Sequence, residues 1–265
     1  MTDTTPRTPA AGLSAALANR KIQLMLGGSL FVAAAALGAI GMQAASPAAS
    51  VNSSDRAAIE KIVHDYILEH PEIIPQAVEK LQQKRLGSAI DANRKAIETP
   101  YAGAWEGAEK ADVVLVEYFD YACGYCRASL PDLARLVAED RGLKVVYREL
   151  PVLSAASGEA AKVSLLAAEK GRYMDYHKAL YGAGKVTRDT IFAAAASVGI
   201  DRKAAEAAIV SPKYDAEVEG NIRIAQTLQA SGTPTFVVGD QVLNGAVGYE
   251  TLKEAVAKAR SDKAS

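Results

Sequence analysis

The only two cysteines of this 265-residue chain stand three apart, in Cys123-Gly124-Tyr125-Cys126. The apolar run Asp112–Phe119 before them reads as a buried strand, and Arg127 to about Asp140 after them reads as a helix. A cysteine at a helix N-terminus meets unpaired backbone N–H groups and the positive end of the helix dipole. Both favour thiolate over thiol, and the thiolate is the nucleophile. Cys126, on the same helical face, is close enough for a strained but feasible disulfide. The pair suits thiol–disulfide exchange, with Cys123 attacking and Cys126 resolving. Zinc fits it poorly: there is no third cysteine, and His64, His70 and His177 stand alone in helical surroundings, so no metal site is expected. A structural staple fits poorly too, because so short a loop barely restrains the unfolded chain.

Two further positions could serve this chemistry. Glu117 breaks the apolar strand six residues before Cys123. As a partly buried carboxylate with a raised pKa it would move protons to or from Cys126; as an ordinary strand-end residue it would reach water. Gly232-Thr233-Pro234-Thr235 enters a second apolar strand. Only about 6% of X–Pro bonds are cis in folded proteins. A cis-Pro loop beside a redox pair would nevertheless be useful, since it offers the backbone of Thr233 for antiparallel pairing with an extended substrate segment. Gly124 and Tyr125 would face the same substrate. His177, with Tyr173 and Tyr176 nearby, reads as a packed or surface histidine.

Composition excludes other classes. The formal net charge is −1, no basic cluster carries interleaved aromatics, and no glycine loop suits a phosphate, so nucleic acid is not expected as a partner. Hydrophobic content of 49% is inflated by alanine and points to many helices. Residues 1–45 hold a polar tail and the uncharged stretch Ile22–Met42, long enough to span a bilayer. Arg7, Arg20 and Lys21 precede it and the first charge after it is Asp55, which predicts export of everything that follows. An uncleaved membrane anchor is favoured over a cleaved signal segment, given weak small-residue cleavage sites near Gln43-Ala44-Ala45.

Residues 46–97 read as a small-residue linker and a helical extension, with Ser53 or Ser54 as N-cap. Ile59, Ile62, Val63, Tyr66 and Ile67 form one apolar stripe; after Pro71, Ile74, Ala77, Val78 and Leu81 form another. Such stripes either cover the chain's own domain or, over residues 54–85, join copies of the chain. Residues 86–110 read as a helical or irregular connector. Within an α/β domain over residues 98–262, Leu143–Leu150 is the next strand and residues 154–230 an inserted helical subdomain. Phe236–Val238 and Val242–Leu243 form a hairpin around Gly239-Asp240, and Tyr249–Arg260 is a closing helix.

The order strand, C-x-x-C helix, strand, helical insertion, Thr-Pro, hairpin, helix resembles the DsbA-like branch of the thioredoxin superfamily from about residue 98 to 260. Val-Glu-Tyr-Phe-Asp-Tyr-Ala-Cys-Gly-Tyr-Cys, Tyr-Arg-Glu-Leu-Pro-Val-Leu and Gly-Thr-Pro-Thr-Phe-Val-Val-Gly carry the likeness. It implies a thioredoxin fold with a helical insertion, Cys123 as nucleophile, Cys126 as resolving thiol, Pro234 in cis and Glu117 at the buried acid position. It also implies exported cysteine-containing substrate proteins and a membrane redox partner of the DsbB or DsbD/ScsB kind. No cofactor beyond the redox pair is implied. The segment from Asp55 to about Lys84, with His-Pro-Glu-Ile-Ile, is similar to the N-terminal extension of ScsC-like members, some of which oligomerise through it and act as isomerases or reductases. The dipeptide is Gly124-Tyr125 where the strong oxidases carry Pro-His, so the histidine that helps stabilise their thiolate is absent. A thiolate Cu(I)-binding protein is the alternative from another class.

Overall fold

The computed structural model of the chain describes residues 52–264. The chain divides into two compact units, residues 1–69 and residues 70–265. In the first, helix α1 spans Ser53–Glu69. Asn52, not Ser53 or Ser54, caps it: its side-chain oxygen accepts from the backbone N–H of Asp55 at 2.8 Å. Ile59, Ile62, Val63 and Tyr66 are all at least half exposed along this helix. The predicted stripe is therefore present along α1, and these four of its residues are exposed.

The second unit begins with α2 (Ile73–Glu98) and continues through β1 (Trp105–Gly107), β2 (Val113–Phe119), α3 (Gly124–Glu139) and β3 (Leu143–Glu149). Five helices follow: α4 (Ala155–Glu169), α5 (Tyr173–Gly182), α6 (Arg188–Ser197), α7 (Arg202–Ile209) and α8 (Pro212–Thr227). β4 (Thr235–Val238), β5 (Gln241–Asn244) and α9 (Tyr249–Ala264) close the chain. The sheet runs β1-β3-β2-β4-β5, with β2 parallel to β3 and every other pair antiparallel.

The central strands β2 and β3 are covered on both faces, so both are buried almost throughout, and Val113–Phe119 is a nearly continuous apolar run. On one face Leu115, Phe119, Val145, Tyr147, Phe236 and Val238 pack with α3, the inserted helices and α9. On the other, Val116, Tyr118, Val146 and Val237 pack with Ile90 and Ile97 of α2 and Ala225 and Leu228 of the α8 end. Arg148 is buried on this second face, where its guanidinium donates to the carbonyls of Ala96, Ile97 and Thr99 and pairs with Glu217 at 3.0 Å. It thereby satisfies the carbonyls that the end of α2 leaves open.

Two expectations change. The connector predicted as helical or irregular over residues 86–110 is helical as far as Glu98, where it forms the second half of one 26-residue helix, α2. It then holds the short strand β1, which was not expected. Three residues ending in glycine give too little alternation to be seen as a strand. Gly107 has φ +94°, and a Cβ there would lie 2.4 Å from the Leu143 carbonyl oxygen, so the close approach of β1 to β3 needs glycine. The expected transmembrane anchor is not supported: no helix among the described residues is long and apolar enough to cross a membrane. The segment Ile22–Met42 on which that expectation fell lies outside the described residues.

Candidate active site

Strand β2 ends at Phe119, and the link Asp120-Tyr121-Ala122 delivers Cys123 to the N-cap of α3. The Cys123 sulfur accepts from the backbone N–H of Cys126 at 3.4 Å, and its thiol donates to the Thr233 carbonyl oxygen at 3.2 Å. The first turn of α3 thus supplies a donor that would stabilise negative charge on this sulfur. Both cysteines are free thiols and both are buried, Cys126 completely. Gly124 and Tyr125, between them, are exposed.

The loop opposite Cys123 is held from behind. The Thr233–Pro234 bond is cis. The Asn244 side-chain oxygen accepts from the Thr235 hydroxyl at 3.0 Å and from the Ser231 N–H at 3.2 Å, while Gly245 N–H bonds the Pro234 carbonyl at 2.8 Å. These contacts fix Thr233 against the sulfur. The Thr233 hydroxyl oxygen is buried and finds no partner among the described residues.

Glu117 lies in mid-sheet, 1% exposed, and neither carboxylate oxygen has a hydrogen-bond partner. It does not reach water. Burial raises its pKa well above the carboxylate range, and the charges of Cys123 and Glu106 push in the same direction. Burial and then the charge of Glu117 push the Cys126 thiol up as well. The structure therefore gathers Cys123, Cys126, Glu117 and Thr233-Pro234 at one end of the sheet, with Gly124 and Tyr125 at the surface beside them. A carboxyl that resists ionisation next to a thiol that resists ionisation can exchange one proton between them at modest cost.

Two features of the site, Asp120 and Glu149, were not anticipated, and a third, His177, takes the packed one of the two places expected for it. Asp120, 1% exposed, accepts from the N–H of Ala122 at 2.7 Å and from those of Val152 and Leu153 at 2.9 Å. It ties the approach to Cys123 to the loop after β3. An Asp between a strand and a helix is a turn former, and that was the available signal. Asp120→Ala is expected to lower stability by about 2 kcal/mol, because three N–H groups lose a charged acceptor. It should also slow the reaction of Cys123 with a disulfide reagent; a denaturant melt and a stopped-flow trace check both, and unchanged values would remove the brace.

Glu149 is a second buried carboxyl, 2% exposed, its pKa raised by burial against an opposing hydrogen bond with Ser164. His177 is fully buried rather than at the surface, and burial lowers its pKa to about 3. The Tyr121 hydroxyl bridges it to Ser164, at 3.1 Å from His177 Nδ1 and 2.9 Å from Ser164 Oγ. The rings of Phe119, Tyr147, Tyr173 and Tyr181 pack around it. Glu149 closes a strand that also carries Lys144 and Arg148, so nothing local marks it as buried. For His177 the tertiary packing of the insertion on the sheet decides between the two expected places.

The model of the DSBA-like thioredoxin domain matches residues 114–257, and that of the copper resistance protein ScsC N-terminal domain matches residues 55–85. A thioredoxin-like oxidoreductase from Silicibacter pomeroyi is 35% identical, covering 64% of this chain and 98% of that one with a TM-score of 0.61. The thiol-disulfide exchange protein alpha-DsbA2 from Wolbachia pipientis is 26% identical, covering 67% of this chain and 97% of that one with a TM-score of 0.60. A periplasmic thioredoxin-like protein from Salmonella enterica serovar Typhimurium is 25% identical, covering 63% and 95% with a TM-score of 0.57. Among curated proteins, the Na(+)/H(+) antiporter NhaA 3 of Salinispora tropica is 30% identical over 164 residues. That match takes in 58% of this chain, which spans about a quarter of the length of the curated relatives it matches. With the site's geometry and this coverage together, the chain belongs to the DSBA-like thioredoxin domain family.

Proposed function

We propose that this chain is a periplasmic protein thiol–disulfide oxidoreductase that exchanges disulfides with exported cysteine-containing proteins through Cys123 and Cys126. The observation that carries the reading is the placement of Cys123. Its sulfur sits at a helix N-cap, receives a backbone N–H and lies 3.2 Å from the carbonyl of the Thr233–Pro234 loop. The names of the Wolbachia and Salmonella proteins support the activity and the compartment. A substrate thiolate attacks the sulfur of Cys123 in the Cys123–Cys126 disulfide, breaking that bond and leaving Cys126 as thiolate. Glu117 gives Cys126 a proton. The second substrate thiolate then attacks the mixed disulfide at the substrate's own sulfur and expels Cys123. The substrate loses two electrons and the chain gains them. The isomerase or reductase direction uses the same residues in reverse, and a membrane redox partner resets the pair. The Cu(I) alternative gives Glu117 and Thr233 nothing to do.

The test is stoichiometric. Oxidised full-length chain is mixed with a reduced, unfolded two-cysteine protein under a metal chelator, and thiols on both are counted. The account requires two thiols to appear on the chain for every disulfide gained by the substrate. A substrate that stays reduced beside an oxidised chain would overturn it.

We further infer that residues 54–85 join copies of the chain, since Ile59, Ile62, Val63 and Tyr66, and separately Ile74, Val78 and Leu81, are exposed apolar residues at helical spacing. Deleting residues 46–85 is expected to lower the subunit number seen by light scattering while leaving exchange by Cys123 intact. The same subunit number before and after would end this idea.

A further inference from the structure

Each turnover of the proposed cycle leaves a proton on Glu117 or removes one, yet both oxygens of Glu117 are buried and unpartnered. The proton needs a way to water. On β3, the parallel neighbour of Glu117 is Tyr147, its direct partner in the ladder, so the two side chains stand side by side on one face of the sheet. Tyr147 is 2% exposed, and its hydroxyl donates to Glu106 Oε1 at 2.5 Å. Glu106 lies on β1, the next strand across and the edge of the sheet, and is only partly buried. Three groups on three adjacent strands thus run from beneath the cysteines to the sheet edge.

The other titratable groups facing Glu117 do not offer this. Cys123 and Cys126 of α3 are the reacting atoms themselves. Glu149 on β3 is buried. Tyr121, before α3, spends its hydroxyl on Ser164 and His177. On α5, Tyr173, His177 and Tyr181 are buried, and the Tyr173 hydroxyl and His177 Nε2 have no partner to pass a proton to. Tyr181 donates to the backbone carbonyl of Asp120 at 3.0 Å, which accepts no proton. Among the described residues of this set, Glu106 alone is a carboxylate with access to solvent.

We propose that Tyr147 and Glu106 carry the proton between Glu117 and solvent during the resolving step. The inference rests on the exchange reading above. In the oxidising half-reaction of the pair, Cys126 thiol gives its proton to the Glu117 carboxylate, and the Cys126 thiolate attacks Cys123 in its mixed disulfide. The S–S bond to the substrate breaks, the Cys123–Cys126 bond forms, and the substrate leaves as thiolate. The Glu117 proton then moves through one bridging water to the Tyr147 oxygen as Tyr147 hands its own proton to Glu106. Glu106 releases that proton to water, and Tyr147 is unchanged at the end. Tyr147 and Glu106 touch neither substrate nor sulfur; they act through Glu117.

The experiment is single-turnover kinetics of the full chain from pH 5 to 9. The first phase is attack of Cys123 on a model disulfide, and the second is release of the leaving thiol by Cys126. Glu106→Gln, which can still accept from Tyr147, is the primary variant; Tyr147→Phe is the second, with its melting temperature checked against the parent. Both are expected to slow the second phase about tenfold near neutrality, flatten its pH profile and leave the first phase unchanged, with the lost rate restored by a small diffusible buffer such as imidazole. Second phases with the parental pH profile in both variants would overturn the proposal. A parent chain that shows no first phase would overturn the exchange reading itself, which keeps the two failures apart.

Discussion

Cys123→Ser is expected to abolish disulfide exchange altogether, whereas Cys126→Ser is expected to stop it half-way. The two sulfurs are three residues apart but not equivalent. The Cys123 sulfur receives the N–H of Cys126 and faces the Thr233 carbonyl, the position an extended substrate segment would approach. Cys126 is fully buried, and its thiol is pushed up by burial and by Glu117. Only Cys123 can meet a substrate. A serine hydroxyl in its place has no accessible oxyanion at neutral pH and cannot form an S–S bond, so the loss should exceed about a thousandfold, or roughly 4 kcal/mol of barrier. In Cys126→Ser the mixed disulfide forms and then persists because nothing resolves it. Non-reducing electrophoresis after incubation with a disulfide-bearing protein, whose S–S bond the Cys123 thiolate attacks with release of one substrate thiol, should show adducts that a reductant removes. Adducts in Cys123→Ser, or none in Cys126→Ser, would reverse the assignment.

Glu117→Gln should act on rate and on stability in opposite senses. In the proposed resolving step the carboxylate serves as base for the Cys126 thiol, and on that reading its loss is expected to slow the step about a hundredfold. Stability follows from the raised pKa. The folded chain holds the Glu117 proton to higher pH than the unfolded chain does, whose glutamates release it near about pH 4.3. Below that value both states are protonated and burial carries no charge penalty. As the pH rises through the window up to the folded pKa, the unfolded chain loses the proton first and native stability falls, by about 1.4 kcal/mol per pH unit crossed. Glutamine has no such window. The variant's advantage in a urea melt should therefore be absent at pH 4 and grow steadily above it. Glu149, with the same sense of shift, tilts both proteins alike and cancels from the difference. Parallel stability curves across this range would show that Glu117 is not held protonated by its surroundings.

Much of the site was legible before the structure because its parts are local. Cys123 and Cys126 share one helical turn, Glu117 interrupts an otherwise apolar strand, and Thr233-Pro234 opens the next strand of the sheet. The alternating sheet partners, the helical insertion over residues 154–230 and the hairpin at Gly239-Asp240 follow from periodicity and turn residues. What stayed hidden depends on contacts distant in sequence. Glu106 matters only because β1 pairs with β3, and a three-residue strand has no readable period. Tyr147 looks like any aromatic on a buried strand until its register beside Glu117 is known. His177 could be placed inside or outside with equal ease, since one polar residue on an apolar helix face does not say what packs on it. The stripe on α1 shows the reverse limit, for its spacing marks a face to be covered but not the surface that covers it.

The most direct test of the central claim is the reduction potential of Cys123 and Cys126 in the full chain, equilibrated against glutathione buffers of graded ratio. The account predicts one reversible two-electron transition, in which a tenfold change in equilibrium constant corresponds to about 30 mV, at a potential between about −120 mV and −270 mV. The strongly oxidising end would make the chain a donor of disulfides, and the reducing end an isomerase or reductase kept reduced by its partner. Two cysteines that titrate independently, or that form no disulfide across the whole series, would contradict the account.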